Sequence, residues 1–242
     1  MKILVYGAGV LGCNLARNLF HAGKDVTLLA RGNWAAEIKQ NGLRIKDKFS
    51  PRTSVSCIPV VTELAPDAQY EVIFVVLRYT QLDSALDTLR ENQTKNIVFV
   101  GNNVQARVLA ASLPGKNVLF AFALSAGHRE SDRVVSIDLK KITIGQLPGA
   151  ASNKQLIGQI FCGTKYKVAY EPMLHHRFIS ELAQPSPYGI ITTKNHWRGL
   201  PARPRNQDIS SVKKKCPFFH PKSDAGRRNE MPEKSADEDG QS

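Results

Sequence analysis

The sequence predicts an α/β protein with a doubly wound parallel β-sheet. Three observations support this fold class. An apolar run at the start of the chain ends in a glycine-rich turn, and apolar residues with helical spacing follow it. Residues 72–77 form a near-continuous apolar run, which is typical of a strand buried on both faces. Strand and helix patterns alternate as far as about residue 170, which favours parallel strands joined by right-handed crossovers.

The N-terminal elements follow from their apolar spacing. Residues 3–6 are strand formers, and the apolar residues after the glycine turn recur at the spacing of one helix face. A second strand-like run comes next, and Gly42 ends the short helix after it. The predicted elements of this unit are strand 3–6, helix 11–20, strand 25–30 and helix 34–41.

The later elements continue this alternation. Two runs with polar alternation predict an excursion before the central strand, and the last two strands before the final helix predict a terminal hairpin. The predicted strands are 43–48, 55–61, 72–77, 97–100, 118–122, 133–139, 141–145 and 166–170. The predicted helices are 81–91, 104–113 and 153–161.

The chain changes character after residue 174. Prolines recur through the rest of the sequence, and no window keeps a period of 2 or 3.6. The last residues are polar and charged, with too little apolar surface to offset the entropy of ordering. We therefore predict one folded domain, 1–174, and an irregular, disordered, Pro-rich basic tail, 175–242.

Composition narrows the function classes. The net charge of +12 would suit an anionic ligand, but the basic residues are scattered without an aromatic-basic stripe, so we expect no nucleic-acid binding. We expect no membrane span and no signal peptide, because no apolar run approaches the roughly 20 residues that cross a bilayer. The four cysteines lie far apart, which favours reduced thiols in a cytoplasmic protein. No metal site is expected from His175 and His176, because adjacent residues of a helix point about 100 degrees apart. None is expected from Cys216 and His220, because this pair lacks further ligands.

The glycine-rich turn has the spelling Gly-Ala-Gly-Val-Leu-Gly, the fingerprint of a dinucleotide-binding βαβ unit. The first glycine permits the tight turn, the second lets the backbone approach a diphosphate, and the third lets the helix pack close to the strand. The N-terminus of the helix would then face the phosphates. The predicted cofactor contacts of this Rossmann-like domain are Gly7, Ala8, Gly9, Val10, Leu11 and Gly12.

The residue at the end of the second strand predicts which cofactor binds. Folds that prefer NAD place an acidic residue there to accept hydrogen bonds from the ribose 2′-hydroxyl, whereas this chain has Arg31. A guanidinium can hold a 2′-phosphate through two parallel hydrogen bonds, so Arg31 favours NADP(H). The alternative is an arginine that is merely solvated in a loop.

Polar residues also follow two central strands, at the edge where such sheets bind ligands. Arg78 and Gln81 come after strand 72–77 and could contact phosphate or ribose. Asn102 comes after strand 97–100, where a nicotinamide and a substrate carbonyl or hydroxyl would meet. The alternative is that Asn102 or the next asparagine only caps the following helix. His128 either orients a substrate or is a solvated loop residue.

Together these features resemble the ketopantoate reductase (2-dehydropantoate 2-reductase) family over about residues 1–170. The matching segments are the glycine turn, the Leu-Ala-Arg end of strand two, loop 78–81, the asparagine after the next strand, and residues 125–127 leading into 144–145. The resemblance implies an NADPH-dependent reductase of the pantothenate pathway that converts ketopantoate to pantoate. It implies contacts from Arg31 to the 2′-phosphate, from Arg78 and Gln81 to the cofactor, from Asn102 to nicotinamide and substrate, and from Ala126 to the cofactor.

The chain departs from this family in three places. Arg78 stands where members usually carry Lys, and Asn103 stands where they usually carry Gly, which suggests a divergent substrate. The family's helical C-terminal domain, with its Lys general acid, has no counterpart, because the nearest local match presents Glu181 and Pro185 would break the helix. We therefore assign no catalytic residue and expect a truncated, alternatively spliced or mispredicted form with an unrelated tail.

Two hypotheses follow. The first is an NADPH-dependent reductase of the ketopantoate reductase type, which transfers hydride to the carbonyl of a 2-oxo acid such as 2-dehydropantoate. Its partner would be that small molecule, with neither nucleic acid nor membrane. The second is a catalytically impaired NADP-binding or interaction module, which keeps the nucleotide cleft of domain 1–174 but lacks the helical substrate domain. A homo-oligomer is compatible with both.

Overall fold

A computed structural model describes residues 1–50, 52–101 and 105–171, together with the backbone of residues 207 and 208. These residues form a mixed α/β fold around one mostly parallel sheet. The predicted tail, 175–242, lies outside the described residues apart from the backbone at 207 and 208.

The described elements follow the predicted alternation. The helices are α1 Val10–His21, α2 Gly32–Asn41, α3 Tyr79–Glu91, α4 Ala106–Ala111 and α5 Lys154–Phe161. The strands are β1 Lys2–Tyr6, β2 Asp25–Leu29, β3 Leu43–Asp47, β4 Thr53–Ser56, β5 Val60–Val61, β6 Val72–Val75, β7 Asn96–Val100, β8 Asn117–Arg129, β9 Val134–Gln146, β10 Lys167–Glu171 and β11 Gln207–Asp208.

The strand order β5-β2-β1-β6-β7-β8-β9-β10-β11 identifies a doubly wound sheet. Neighbours from β5 to β8 are parallel, β8 and β9 are antiparallel, and β9 and β10 are parallel. The chain passes from β1 to β2 on one side and then continues with β6 on the other side. The strand order therefore reverses at β1, and the predicted fold class is confirmed.

Helices cover both faces of this sheet. Ile3 and Val5 of β1 belong to a buried cluster with side chains of α1, α2 and α5. Leu4 and Tyr6 belong to a second cluster with side chains of α3 and α4. Successive side chains of a strand point to opposite faces, so a strand covered on both sides must be apolar throughout. This explains the continuous apolar runs in the sequence.

Two predicted strand patterns are wrong in detail. The run 55–61 is divided into β4 and β5, with Pro59, which has no N–H for a ladder, just before β5. The predicted hairpin 133–139 and 141–145 is instead the single strand β9, with a positive φ of 52° at Lys140. It pairs with a long β8 that continues to Arg129, past its pairing with β7, which ends at Ala121. The far ends of β8 and β9 thus form an arm, which we call the hairpin tip (residues 125–136).

Candidate functional site

A cleft of about 700 Å³ opens at the carboxyl ends of β1, β2 and β6. Doubly wound sheets bind ligands at this place, because the chain leaves neighbouring strands in opposite directions and opens a crevice. The predicted contacts that line the cleft are Gly7, Ala8, Gly9, Val10, Arg31, Arg78 and Gln81. His128, for which the sequence left open a substrate-orienting role or a solvated loop, also lines the cleft. Lining residues that were not predicted as contacts include Tyr6, Trp34, Gly127 and Arg129.

The turn between β1 and α1 depends on two glycines that the fold itself requires. Gly7 has a φ of +122°, and a Cβ at this position would collide with the Val76 carbonyl oxygen. A Cβ at Gly12 would collide with the Gly7 carbonyl oxygen, so helix α1 packs directly against the turn. These two glycines are explained by the protein's own backbone.

Gly9 differs, because no contact within the described part of the chain explains it. It is the N-cap of α1, and a Cβ built there would have no heavy atom of the described residues within 4 Å, apart from its chain neighbours. The first N–H groups of a helix have no acceptor within the helix, and here they border the cleft. An open space in front of unpaired N–H groups is suited to an anion.

Arg31 lies between β2 and α2, at the rim of the cleft. Its Nη2 donates a hydrogen bond of 3.0 Å to the hydroxyl oxygen of Tyr6, and its Cζ lies 6.0 Å from the centroid of the Tyr6 ring. Tyr6 is only 3% exposed, so the phenol is a fixed support. The support holds the guanidinium at the cleft and leaves its other N–H groups for a ligand.

Arg78 and Gln81 form the start of α3. The Arg78 N–H donates to Gln81 Oε1 at 3.2 Å, and the Gln81 N–H donates to the Arg78 carbonyl at 2.8 Å. This reciprocal pair orders the first turn of the helix. Both side chains are exposed, so the Arg78 guanidinium and the Gln81 amide N–H groups can reach a molecule in the cleft.

Trp34 of α2 and Arg129 of the hairpin tip complete the wall next to the glycine turn. The indole Nε1 donates a 3.0 Å hydrogen bond to the Ala8 carbonyl oxygen, and Trp34 is 6% exposed. The Arg129 Cζ lies 5.3 Å from the centroid of the Trp34 ring. No local motif marks these two residues, because they meet only through the fold, and sequence reasoning missed them.

The cleft is positively charged. Among the described residues, its lining contains the guanidinium groups of Arg31, Arg78 and Arg129 and the imidazole of His128, but neither Asp nor Glu. The cations are the three arginines. The Glu130 carboxylate lies 3.4 Å from His128 Nε2 but is outside the lining. Cations that converge on one crevice without carboxylate partners favour an anionic ligand.

The side chain beneath the glycine turn is buried from solvent. Cys13 of α1 has no exposed surface, and burial raises the pKa of its thiol to about 12. A hydrogen bond with Trp34 and the charge of Arg129 act in the opposite direction with smaller effect. The thiol is therefore protonated at neutral pH and is not a nucleophile.

Three predicted contacts among the described residues, Leu11, Gly12 and Ala126, do not line the cleft. Leu11 packs against the buried core, and Gly12 lies behind the turn that it supports. Ala126 is exposed on β8, one residue before the lining residue Gly127. Asn102 lies outside the described residues, so its contact with nicotinamide and substrate stays a prediction.

In the part of the chain that the structure describes, no helix is long and apolar enough to cross a membrane. The same residues hold no group of three or more His, Cys, Asp or Glu side chains that could bind a metal ion. Among the described residues, Cys13 and Cys57 are free thiols.

Residues 3–149 match the family model described as ketopantoate reductase PanE/ApbA. The chain is also similar to the 2-dehydropantoate 2-reductase of Lactococcus lactis, with 22% identity over 192 residues. That match covers 69% of this chain and 56% of the relative, so the chain spans about half the length of that protein.

Two solved structures show the same fold. The 2-dehydropantoate 2-reductase of Geobacter metallireducens is similar with a TM-score of 0.61 and 20% identity, over 71% of this chain and 58% of that chain. A D-mandelate dehydrogenase, solved with NADH and anilino(oxo)acetate, is similar with a TM-score of 0.60 and 17% identity, over 71% and 57%.

Proposed function

The chain belongs to the ketopantoate reductase family, and from this premise we propose that it binds NADPH in the cleft and reduces the carbonyl of a 2-oxo acid such as 2-dehydropantoate. The L. lactis relative is named for this substrate. The observation that carries the proposal is the set of arginines, without a carboxylate among the described lining residues, around a glycine turn at the switch point of the sheet.

The residues of the cleft fit a dinucleotide. Its volume of about 700 Å³ lies within the range of roughly 300–1,000 Å³ that is usual for small-molecule sites. The space in front of Gly9 would take the diphosphate, next to the N–H groups at the start of α1. Arg78 and Gln81 would contact phosphate or ribose from the start of α3.

Arg31 supports NADPH rather than NADH. It stands where a carboxylate would accept the ribose 2′-hydroxyl in an NAD-preferring site, and Tyr6 holds its guanidinium at the rim. A guanidinium pairs with the 2′-phosphate, whereas a carboxylate would repel it. The NADH in the D-mandelate dehydrogenase structure makes NADH the competing cofactor to be tested.

Bound NADPH would supply the hydride that reduces the carbonyl carbon. The described residues would bind the cofactor and orient it, since hydride transfer needs the reacting groups held in contact. We propose that Asn102 positions the substrate. We also propose that Ala126 lies beside the cofactor, because the next residue, Gly127, lines the cleft.

The full chain should be titrated with NADPH and with NADH by calorimetry, and then assayed for loss of reduced nicotinamide in the presence of 2-dehydropantoate. We expect binding of both dinucleotides, tighter binding of NADPH, and oxidation of NADPH that depends on the 2-oxo acid. Binding without turnover would identify a nucleotide-binding module, and binding of neither dinucleotide would refute the proposal.

The proposal also includes a cytoplasmic location, with a small molecule rather than nucleic acid or membrane as the partner. The free thiols of Cys13 and Cys57 support this location. Fractionation of cells that express the tagged chain would test it, and recovery in a secreted fraction would contradict it.

A further inference from the structure

Arg129 lies next to the glycine turn, although the two are far apart in sequence. Its guanidinium stands 5.3 Å above the centre of the Trp34 ring, within the range of a cation–π contact. The same indole donates a hydrogen bond to the carbonyl of Ala8, the central residue between Gly7 and Gly9. Trp34 therefore forms a buried platform that connects the turn on one side with a cation on the other.

The hairpin tip that carries Arg129 is held by α1. Asn14 Nδ2 donates to Ser125 Oγ at 2.7 Å, and Ser136 Oγ donates to Asn14 Oδ1 at 3.2 Å. Farther along the helix, Asn18 Nδ2 donates to Asp138 Oδ2 at 2.8 Å. These side chains of α1 are buried, so the helix that borders the cleft also fixes the strand that ends at Arg129.

The other side of the hairpin tip is held by the sheet. Residues Ile45, Lys46 and Asp47 of β3 pair in parallel with residues 134–136 of β9. Arg129 itself pairs with Val134 at the end of the β8–β9 ladder. The backbone that carries Arg129 is therefore held from two sides, and the Trp34 ring is the contact that orients the guanidinium. A cation placed in advance beside a site loses less freedom when a ligand binds.

The positive charge of Arg129 has no carboxylate partner in residues 1–50, 52–101 and 105–171. Among the described residues it makes no ion pair, while the tip carboxylate of Asp132 is paired with Arg44 and Arg133. The positive charge of Arg129 lowers the pKa of the Cys13 thiol, although the larger effect of burial raises it. The charge of Arg129 therefore lies near the first turns of α1. Arg129 thus adds a side-chain cation near the start of α1, where the first N–H groups have no acceptor within the helix.

We infer that Arg129 is a ligand of the dinucleotide's diphosphate, held over the glycine turn on the Trp34 platform. This inference rests on the proposed function and adds to it a diphosphate contact outside the glycine turn. A guanidinium offers two parallel N–H donors that match phosphate oxygens. Because the diphosphate is common to NADPH and NADH, Arg129 contributes to the binding of both, whereas Arg31 contributes only to the binding of NADPH, through the 2′-phosphate.

The test compares Arg129→Gln, Arg31→Gln and the distant control Arg90→Gln on α3 by calorimetric titration of the full chain. Arg129→Gln should weaken NADPH and NADH by the same factor, about 10- to 100-fold, as expected for loss of a charge-assisted contact. Arg31→Gln should weaken only NADPH, and Arg90→Gln neither. Arg129 is exposed, so its variant should keep the thermal unfolding temperature of the wild type.

The platform is tested by a double-mutant cycle with Trp34→Leu. Loss of the ring should weaken NADH binding strongly in the wild-type background and much less in the Arg129→Gln background, because the ring acts partly through Arg129. Equal effects in the two backgrounds would contradict the platform. Trp34→Phe retains an aromatic face and should show a smaller loss than Trp34→Leu.

Inorganic pyrophosphate separates this inference from the proposed function. If the wild type binds neither dinucleotide, the proposed function fails, and Arg129 is judged by pyrophosphate alone. Pyrophosphate binding that is lost in Arg129→Gln would support the inference. Wild-type affinity of that variant for every probe, absence of pyrophosphate binding in a chain that binds no dinucleotide, or a loss confined to NADPH would overturn it.

Discussion

The two edges of the central sheet both carry polar side chains, but within the described residues those of the amino edge pair with one another and those of the carboxyl edge mostly do not. At the amino edge, where β8 begins and β9 ends, Asn117, Gln146, Asn153 and Tyr170 form what we call the amino-edge cluster. Asn117 Nδ2 donates to Asn153 Oδ1 at 2.6 Å, and Gln146 Oε1 accepts from Asn153 Nδ2 at 2.8 Å and from the Tyr170 hydroxyl at 3.0 Å.

At the carboxyl edge, the cations of the cleft have few partners in the described part of the chain. Arg31 has a hydrogen bond to a phenol, and Arg129 faces an indole, but neither meets a carboxylate. Polar groups that pair with one another in the interior stabilise and specify the fold. Polar groups left around an open crevice indicate a ligand. Both edges therefore contain polar residues, and they differ in whether those residues have hydrogen-bond or ion-pair partners within the described part of the protein.

The largest expected effect is that of Gly7→Ala, which destabilises the fold at the carboxyl edge. The new Cβ would be strained at a φ of +122° and would collide with the backbone of Val76. We expect the free energy of unfolding to fall by roughly 3–5 kcal/mol, measured by urea denaturation.

Gly9→Ala is the matched control, because its Cβ has open space. We expect the free energy of unfolding to fall by no more than about 1 kcal/mol, the scale of the N-cap preference for glycine over alanine, while affinity for NADPH falls at least about tenfold because the methyl group occupies the approach of the diphosphate. Unchanged affinity would show that no ligand approaches this glycine.

Gln146→Leu tests the amino-edge cluster. Loss of the amide leaves the buried Asn153 and Tyr170 groups without their partner, so we expect the free energy of unfolding to fall by roughly 2–4 kcal/mol. Affinity for NADPH should stay unchanged, because the cluster lies at the opposite edge. Gln155→Leu, on an exposed position of α5, is the control and should be nearly neutral. Weaker NADPH binding in a folded Gln146→Leu protein would show that the amino-edge cluster also affects the cleft, and would contradict the contrast between the two edges.

Arg31→Gln sharpens the comparison at the carboxyl edge. Affinity for NADPH should fall by about 1.5–3 kcal/mol, the scale of a hydrogen bond to a charged group, and affinity for NADH should stay nearly unchanged. Calorimetric titration with both dinucleotides measures this difference. An equal loss for the two would show that Arg31 does not recognise the 2′-phosphate.

The smallest expected effect concerns Cys13, beneath the glycine turn. Its pKa is raised from 9.0 to about 12 in the folded protein, so the contribution of the neutral thiol is complete below pH 9 and is lost as the pH rises toward 12. From pH 7 to pH 10 we expect the wild type to lose on the order of 1 kcal/mol more stability than Cys13→Ala. If the free energy of unfolding depends on pH in the same way in the wild type and in Cys13→Ala, the thiol is not buried from solvent.

Local patterns were sufficient to predict the doubly wound sheet and much of the cleft. Each strand and helix of the first unit is marked by its own apolar period, and Gly7, Gly9 and Arg31 are marked by their place relative to β1 and β2. The hairpin tip was predicted wrongly, because the lengths of β8 and β9 depend on pairing with β3 and on contacts with Asn14. Such contacts between distant segments leave no period in the sequence.

The sequence by itself determined the alternation of strands and helices, the glycine turn and the cation after β2, because neighbouring residues set these features. Only the tertiary structure decided that Arg129 lies on Trp34 beside the turn, and that the lining of the cleft, in the described residues, lacks a carboxylate. The physical reason is that the charge balance of a site depends on which side chains the packed fold brings together, and chain neighbours do not specify it.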